Sequence, residues 1–171
     1  MATRQVRQRQ KTLLRKAARK KNVGDPVLLR ILEDEVARGG GTEIYRLDDD
    51  GTGTPMYFNI SAMRAWAERH CEIRALPVDF DRAERLLKSG AVDLEHIREY
   101  TVRRQLDPII VCRDVVGADQ IVDGAHRFVA ACIGVATYKI DLPVPGYVLL
   151  PEDWCQFLVP RHTAERFAQY R

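Results

Sequence analysis

The segment Ile121-Val122-Asp123-Gly124-Ala125-His126-Arg127 gathers an acid, a glycine, an imidazole and a guanidinium at the end of an apolar run. The pattern predicts a strand that stops at Asp123 and a helix that begins at once. A helix start presents unpaired backbone N–H groups and the positive end of the peptide dipoles. Gly124 lets the chain turn sharply and come close to a ligand. Arg127 offers a planar fork for phosphate oxygens, and His126 a second donor beside it. Together these features make an anion site for which phosphate is the natural occupant. The candidate binding residues are therefore Gly124, Ala125, His126 and Arg127. Asp123 and His126 are the candidate catalytic groups, because a carboxylate or imidazole beside a phosphate can accept a proton from an attacking hydroxyl. A plainer reading stands next to this one. Asp-Gly turns are common, and Arg127 can simply pair with Asp123.

Other residues with chemical potential form weaker patterns. Cys71, Cys112, Cys132 and Cys155 are far apart and include no C-x-x-C pair. Apolar neighbours such as Ile110-Val111 and Ala130-Ala131 predict reduced, mostly buried thiols. Their spacing with His70, His96 and His162 gives no support for zinc, and no metal ligand is assigned. Asp48-Asp49-Asp50-Gly51 has adjacent rather than alternating acids, which suits a hairpin turn better than a calcium loop.

The surrounding elements must place the Asp-Gly turn. Asp25-Pro26 predicts a capped helix start, with Val27, Leu28, Ile31, Leu32 and Val36 on one face. Gly39-Gly40-Gly41 ends that helix. Thr42–Leu47 and Met56–Ile60 predict a hairpin, and Ser61 is expected to cap a helix running to about Arg69. Ala75–Phe80 reads as a short strand. Asp81 starts the next helical segment, which Ser89-Gly90 breaks. Asp93 caps another helix, with Leu94, Ile97 and Thr101 on one face. Pro108–Cys112 and Gln120–Val122 predict strands around a turn at residues 115–119. The helix after the Asp-Gly turn is expected to bury Phe128, Ala131, Cys132 and Val135 and to stop at Gly134. Tyr138–Leu142 predicts a strand closed by Pro143 and Pro145, and Pro151-Glu152-Asp153 opens a final helix. The expected organisation is a basic arm over 1–22, a helix-hairpin-helix extension over 23–72, a core domain over 73–150 and a helical tail over 151–171.

The order strand, Asp-Gly-x-His-Arg, helix, preceded by a helix and a Pro-Ile-Ile-Val strand, resembles the ParB/sulfiredoxin superfamily. The resemblance covers Leu76 to Tyr147. It rests on Leu76-Pro77-Val78-Asp79, the helix from Asp93, Asp107-Pro108-Ile109-Ile110-Val111, Ile121 to Arg127, and the strand expected from Tyr138. It implies a small α/β (α+β) domain, a mixed sheet flanked by helices, in which the turn holds the phosphates of ATP or CTP with Mg²⁺. Sulfiredoxins carry a reactive Cys where this chain has Ala125, which argues against sulfinic acid repair. Partition proteins carry an Arg pair in place of His126-Arg127 and a helix-turn-helix domain for which too few residues follow Tyr147. The Asp-Gly-x-His-Arg form is similar to free-serine kinases and to small phage and plasmid ParB-like proteins. For the kinase reading Asp123 is the candidate base, with Glu84 and Glu95 behind it.

Composition sets the outer limits. Of 171 residues, 46% are hydrophobic and 30% charged, enough apolar side chain for a buried core. No apolar run suits a membrane span or a secretory signal, so a reducing cytoplasm is the expected location. Met1–Lys21 holds nine Lys and Arg and no acid. That +9, taken from the total of +3, leaves −6 for the rest. The arm suits nucleic acid phosphates, or else acts as a solvated tail or an oligomerisation arm, the last compatible with a homodimer. Three functions follow: a nucleotide-binding, DNA-associated protein; a phosphotransferase acting on a small hydroxyl compound or modified nucleoside; and a nuclease. The nuclease ranks last because no acid cluster accompanies His126.

Overall fold

The computed structural model describes Thr12 and residues 24–48, 53–101, 106–139 and 143–170. The basic arm, apart from Thr12, lies outside the described residues, as do Asp49 to Thr52 of the acidic hairpin loop. The chain divides into two compact units, one running to Ala65 and resuming at Cys155, the other Trp66–Trp154. The extension and the C-terminal tail, assigned separately from the sequence, thus contribute to one unit.

In that first unit, α1 (Pro26–Arg38) starts where Asp25 Oδ1 accepts the Leu28 N–H at 3.0 Å, with Pro26 in the first turn where its missing N–H costs nothing. It ends at Gly39, which takes the left-handed conformation (φ 80°). β1 (Ile44–Leu47) and β2 (Met56–Asn59) pair antiparallel, Ile44 opposite Asn59. Asn59 Oδ1, rather than Ser61, accepts the third N–H of the following helix α2 (Ile60–His70), whose residues from Trp66 on belong to the second unit. Ser61 lies inside the helix, and its hydroxyl accepts the Glu43 N–H instead. Leu28, Ile31 and Leu32 of α1 pack with Val159, Ala164 and Phe167.

The second unit is a four-stranded mixed sheet with helices packed on it. β3 (Arg74–Leu76), β4 (Ile109–Val115), β5 (Ala118–Asp123) and β6 (Val144–Leu149) lie in the order β3-β6-β4-β5. Only β4 and β6 run parallel. α3 (Phe80–Lys88) is capped by Asp79, whose Oδ1 accepts the Arg82 N–H at 2.8 Å. α4 (Leu94–Thr101) and α5 (Ala125–Tyr138) follow. Ile109, Val111, Ile121, Phe128, Val129, Cys132, Ile97 and Val144 form the core. α6 (Pro151–Trp154) closes this unit, with Trp154 Nε1 donating to the Arg113 carbonyl at 2.8 Å.

Several boundaries differ from the sequence expectation. β4 and β5 are longer, and only Val116-Gly117 turns between them. α5 passes through Gly134 and ends at Tyr138, with Lys139 in the left-handed conformation as its cap. One glycine costs a helix only about 1 kcal/mol, too little to stop an apolar face that is already packed. The expected strand from Tyr138 is therefore partly helix, and residues 140–142 lie outside the described set. β6 begins after Pro143 and contains Pro145, which is tolerated because pairing with β4 starts only at Gly146. On α4, Leu94 is exposed and Ile97 is buried. The tail is not one helix. α6 gives way to a 3₁₀ turn (Cys155–Phe157), and α7 (Arg161–Ala168) starts only after Pro160.

Candidate functional site

Asp123 is the last residue of β5, opposite Ile110 of β4, so the sheet fixes where the turn begins. Gly124 follows with φ 90°, a conformation that L side chains rarely adopt. The glycine is also required by space. A Cβ there would come within 2.6 Å of Ile109 Cγ2 and 2.8 and 2.9 Å of Arg127 Nη2 and Nε. The guanidinium of Arg127 thus lies directly over the bare Gly124 backbone. α5 begins with the Phe128 N–H donating to the Gly124 carbonyl at 2.9 Å. The N-cap residue, Gly124, has no side chain with which to cap this helix start. The N–H groups of its first turn are the kind of donors that bind anions.

Arg127 Nη2 lies 3.0 Å from Asp123 Oδ1, and the two side chains are only 12% and 10% exposed. The plainer reading of the motif is therefore present in the structure as a nearly buried ion pair. It does not use up the guanidinium, which has five N–H donors and meets Asp123 through Nη2. Ala125 is half-buried against the core. No thiol stands in the turn, and burial pushes the thiol of Cys132, further along α5, above its ordinary pKa.

His126 takes a different position from the one expected. Its Nε2 accepts the Asp93 backbone N–H at 2.9 Å, across 33 residues of sequence. That atom is an acceptor, so the neutral ring carries its proton on Nδ1, and only Nδ1 can serve as a donor to a ligand. His96 stands edge-on to His126 with ring centroids 5.5 Å apart, and its Nδ1 lies 3.7 Å from Asp93 Oδ2. Burial and then the neighbouring His96 lower the His126 pKa below the usual histidine value, with Asp93 acting the other way.

The weaker acid candidates are not brought to the turn by any described contact. Glu84 is exposed on α3 and pairs with Lys88 at 2.6 Å. Glu95 is exposed in the first turn of α4. The other histidines are engaged locally. His70 stacks on Trp66 and contacts its carbonyl, and His162 lies 3.5 Å from Asp25. Among the described residues there is no group of three or more His, Cys, Asp or Glu placed to hold a metal ion. Cys112 and Cys132 are buried, whereas Cys155 is exposed.

Two contributors were invisible in the sequence. Ile109 crowds Gly124, and Asp93 ties His126 to α4. The Asp93 cap was legible, but nothing in its spacing signals where its own N–H goes. Among the described residues no helix is long and apolar enough to cross a membrane. No protein-family model, curated protein or solved structure matches the chain.

Proposed function

We propose that the chain is a ParB-like nucleotide-binding protein in which the start of α5 holds phosphate oxygens and the basic arm contacts nucleic acid. One observation carries the reading: Arg127 lies across Gly124, a glycine at the N-cap position of α5. Helix N–H groups and a guanidinium converge there from one turn, which is the donor set a phosphate needs. The sequence resemblance over Leu76 to Tyr147 supports the same reading, with its last strand beginning at Val144 and not at Tyr138. Asp123 sets a condition. Its carboxylate shares Arg127 with any bound phosphate and repels it, unless a cation lies between them. Mg²⁺ would enter with the nucleotide, held largely by phosphate oxygens, since such ions usually bind through substrate phosphates and one or two carboxylates.

Titration of ATP and CTP into the wild type, Arg127→Lys and Asp123→Asn, each with and without Mg²⁺, tests the reading. Arg127→Lys keeps the charge but loses the planar fork, and affinity should fall about tenfold or more. Asp123→Asn removes the repulsion, and Mg²⁺-free binding should be unchanged or tighter. Equal affinity of all three proteins for both nucleotides would place the site elsewhere. Turnover that collapses in Asp123→Asn while nucleotide still binds would favour the phosphotransferase instead.

A further inference from the structure

The contact between His126 and Asp93 has a property that an ordinary helix cap lacks. The start of α4 is organised around Asp93. Its Oδ1 accepts the Glu95 N–H at 2.9 Å and its carbonyl accepts the Ile97 N–H at 3.0 Å. Its own N–H is taken by His126 Nε2 at the start of α5. The two helix starts are therefore joined through a ring nitrogen. A neutral imidazole has one lone pair in its plane, and here that lone pair receives the Asp93 N–H. An imidazolium carries N–H on both nitrogens and has no lone pair to offer.

We infer that His126 is a pH-sensitive latch, closed when its ring is neutral and opened by protonation, that holds the start of α4 against the start of α5. The charged and titratable groups described around it are few. Asp93 and His96 approach from α4 and its cap. On its own turn, the adjacent Arg127 is held by Asp123. α3 meets α5 further along, where Cys132 Sγ lies 3.9 Å from the Asp79 carbonyl, and β4 presents the apolar Ile109 at the turn. His96 disfavours a positive charge on the His126 ring, and Asp93 favours one. Burial and His96 win, so the folded pKa lies below the unfolded one. The unfolded chain then binds more protons in the window between the two values. The latch's contribution is complete above the unfolded value of about 6.5 and is lost as pH falls through the folded value.

The latch needs no ligand, so it is tested without nucleotide, independently of the function proposed above. In the wild-type protein, ¹⁵N NMR of the His126 ring at about pH 7.5 should show the Nδ1–H tautomer. Asp93 amide exchange, scaled to its intrinsic rate, should lose at least about tenfold in protection as the His126 ring titrates in the same sample. Amides of β4 should keep theirs. His96→Gln should leave this loss in place, and His126→Phe should abolish the protection at every pH. An Nε2–H tautomer overturns the proposal. So does Asp93 protection that ignores the His126 titration, or a pH response that disappears in His96→Gln. The wild-type measurements decide the matter even if a variant fails to fold.

Discussion

Arg127 and Asp123 are each other's partner at 3.0 Å with little solvent around either, so the cost of removing one is set by what remains of the other. Arg127→Ala leaves a carboxylate about nine-tenths buried with its cation gone. Breaking such a pair typically costs 3–5 kcal/mol, roughly, because the survivor keeps its desolvation penalty. Removing both charges removes that penalty too. Urea unfolding should therefore show Arg127→Ala strongly destabilised. The double variant Asp123→Ala/Arg127→Ala should lose less than the sum of the single changes, by about 1–3 kcal/mol. Strict additivity would mean that the pair is not coupled, and that Arg127 is held over Gly124 by something else. The same reasoning shows why nucleotide affinity is better read from Arg127→Lys than from the alanine variant, which mixes lost binding with lost stability. Most of this site was legible. Residue types and adjacency gave the turn, its glycine and the Asp–Arg alternative. Adjacency cannot report that His126 points its acceptor nitrogen at a residue 33 positions away, because that contact is made by helix packing.

At the scale of elements, two positions in the hairpin and helix that carry the site, but distant from it, break local preference without visible gain. Val116 turns the β4–β5 hairpin with φ 48°, followed by Gly117 at φ 79°. Two residues with positive φ make the mirror-image turn that hairpin twist favours, and Asn-Gly is its preferred sequence. A β-branched residue is strained there. Gly134 lies inside α5, and an added Cβ would meet nothing within 4 Å. Val116→Asn should stabilise by about 1 kcal/mol through relief of strain. Gly134→Ala should add roughly 0.5–1 kcal/mol through lower chain entropy in the unfolded state. Gly124→Ala is the contrasting case: it forces a Cβ into Ile109 and the Arg127 guanidinium and should destabilise. Thermal melts of the three variants check this. A destabilised Gly134→Ala would mean that this glycine serves close approach by something other than the chain itself. These positions also explain where elements were misread. Gly134 and Pro145 look like stop signals, yet each is a small local cost. The apolar face of α5 and the β4–β6 ladder outweigh them, and both depend on partners distant in sequence. The caps at Asp25 and Asp93 were readable because capping is decided within three or four residues.

For the whole molecule, the distribution of charge matters more than its total. The first 21 residues carry +9 and the remainder −6. A polyanion is therefore drawn to one end of the chain and repelled on average by the rest. Each phosphate neutralised by a Lys or Arg releases condensed counterions, so the logarithm of affinity falls with the logarithm of salt by about 0.9 per contact on B-DNA. With all nine cations engaged the slope is about −8, which bounds what the arm alone can supply. Binding of duplex DNA by the 171-residue chain should weaken steeply with salt, at a slope no steeper than that bound. Deleting residues 1–21 should abolish it at moderate ionic strength, while the nucleotide affinity proposed for the Gly124 turn persists. Measured together on the two proteins, DNA and nucleotide titrations separate the charged arm from the folded units. DNA binding that survives the deletion with its salt slope intact would assign the contact to the units themselves. Loss of nucleotide binding on deletion would show that the arm completes the phosphate site, a role its nine cations are equally able to fill.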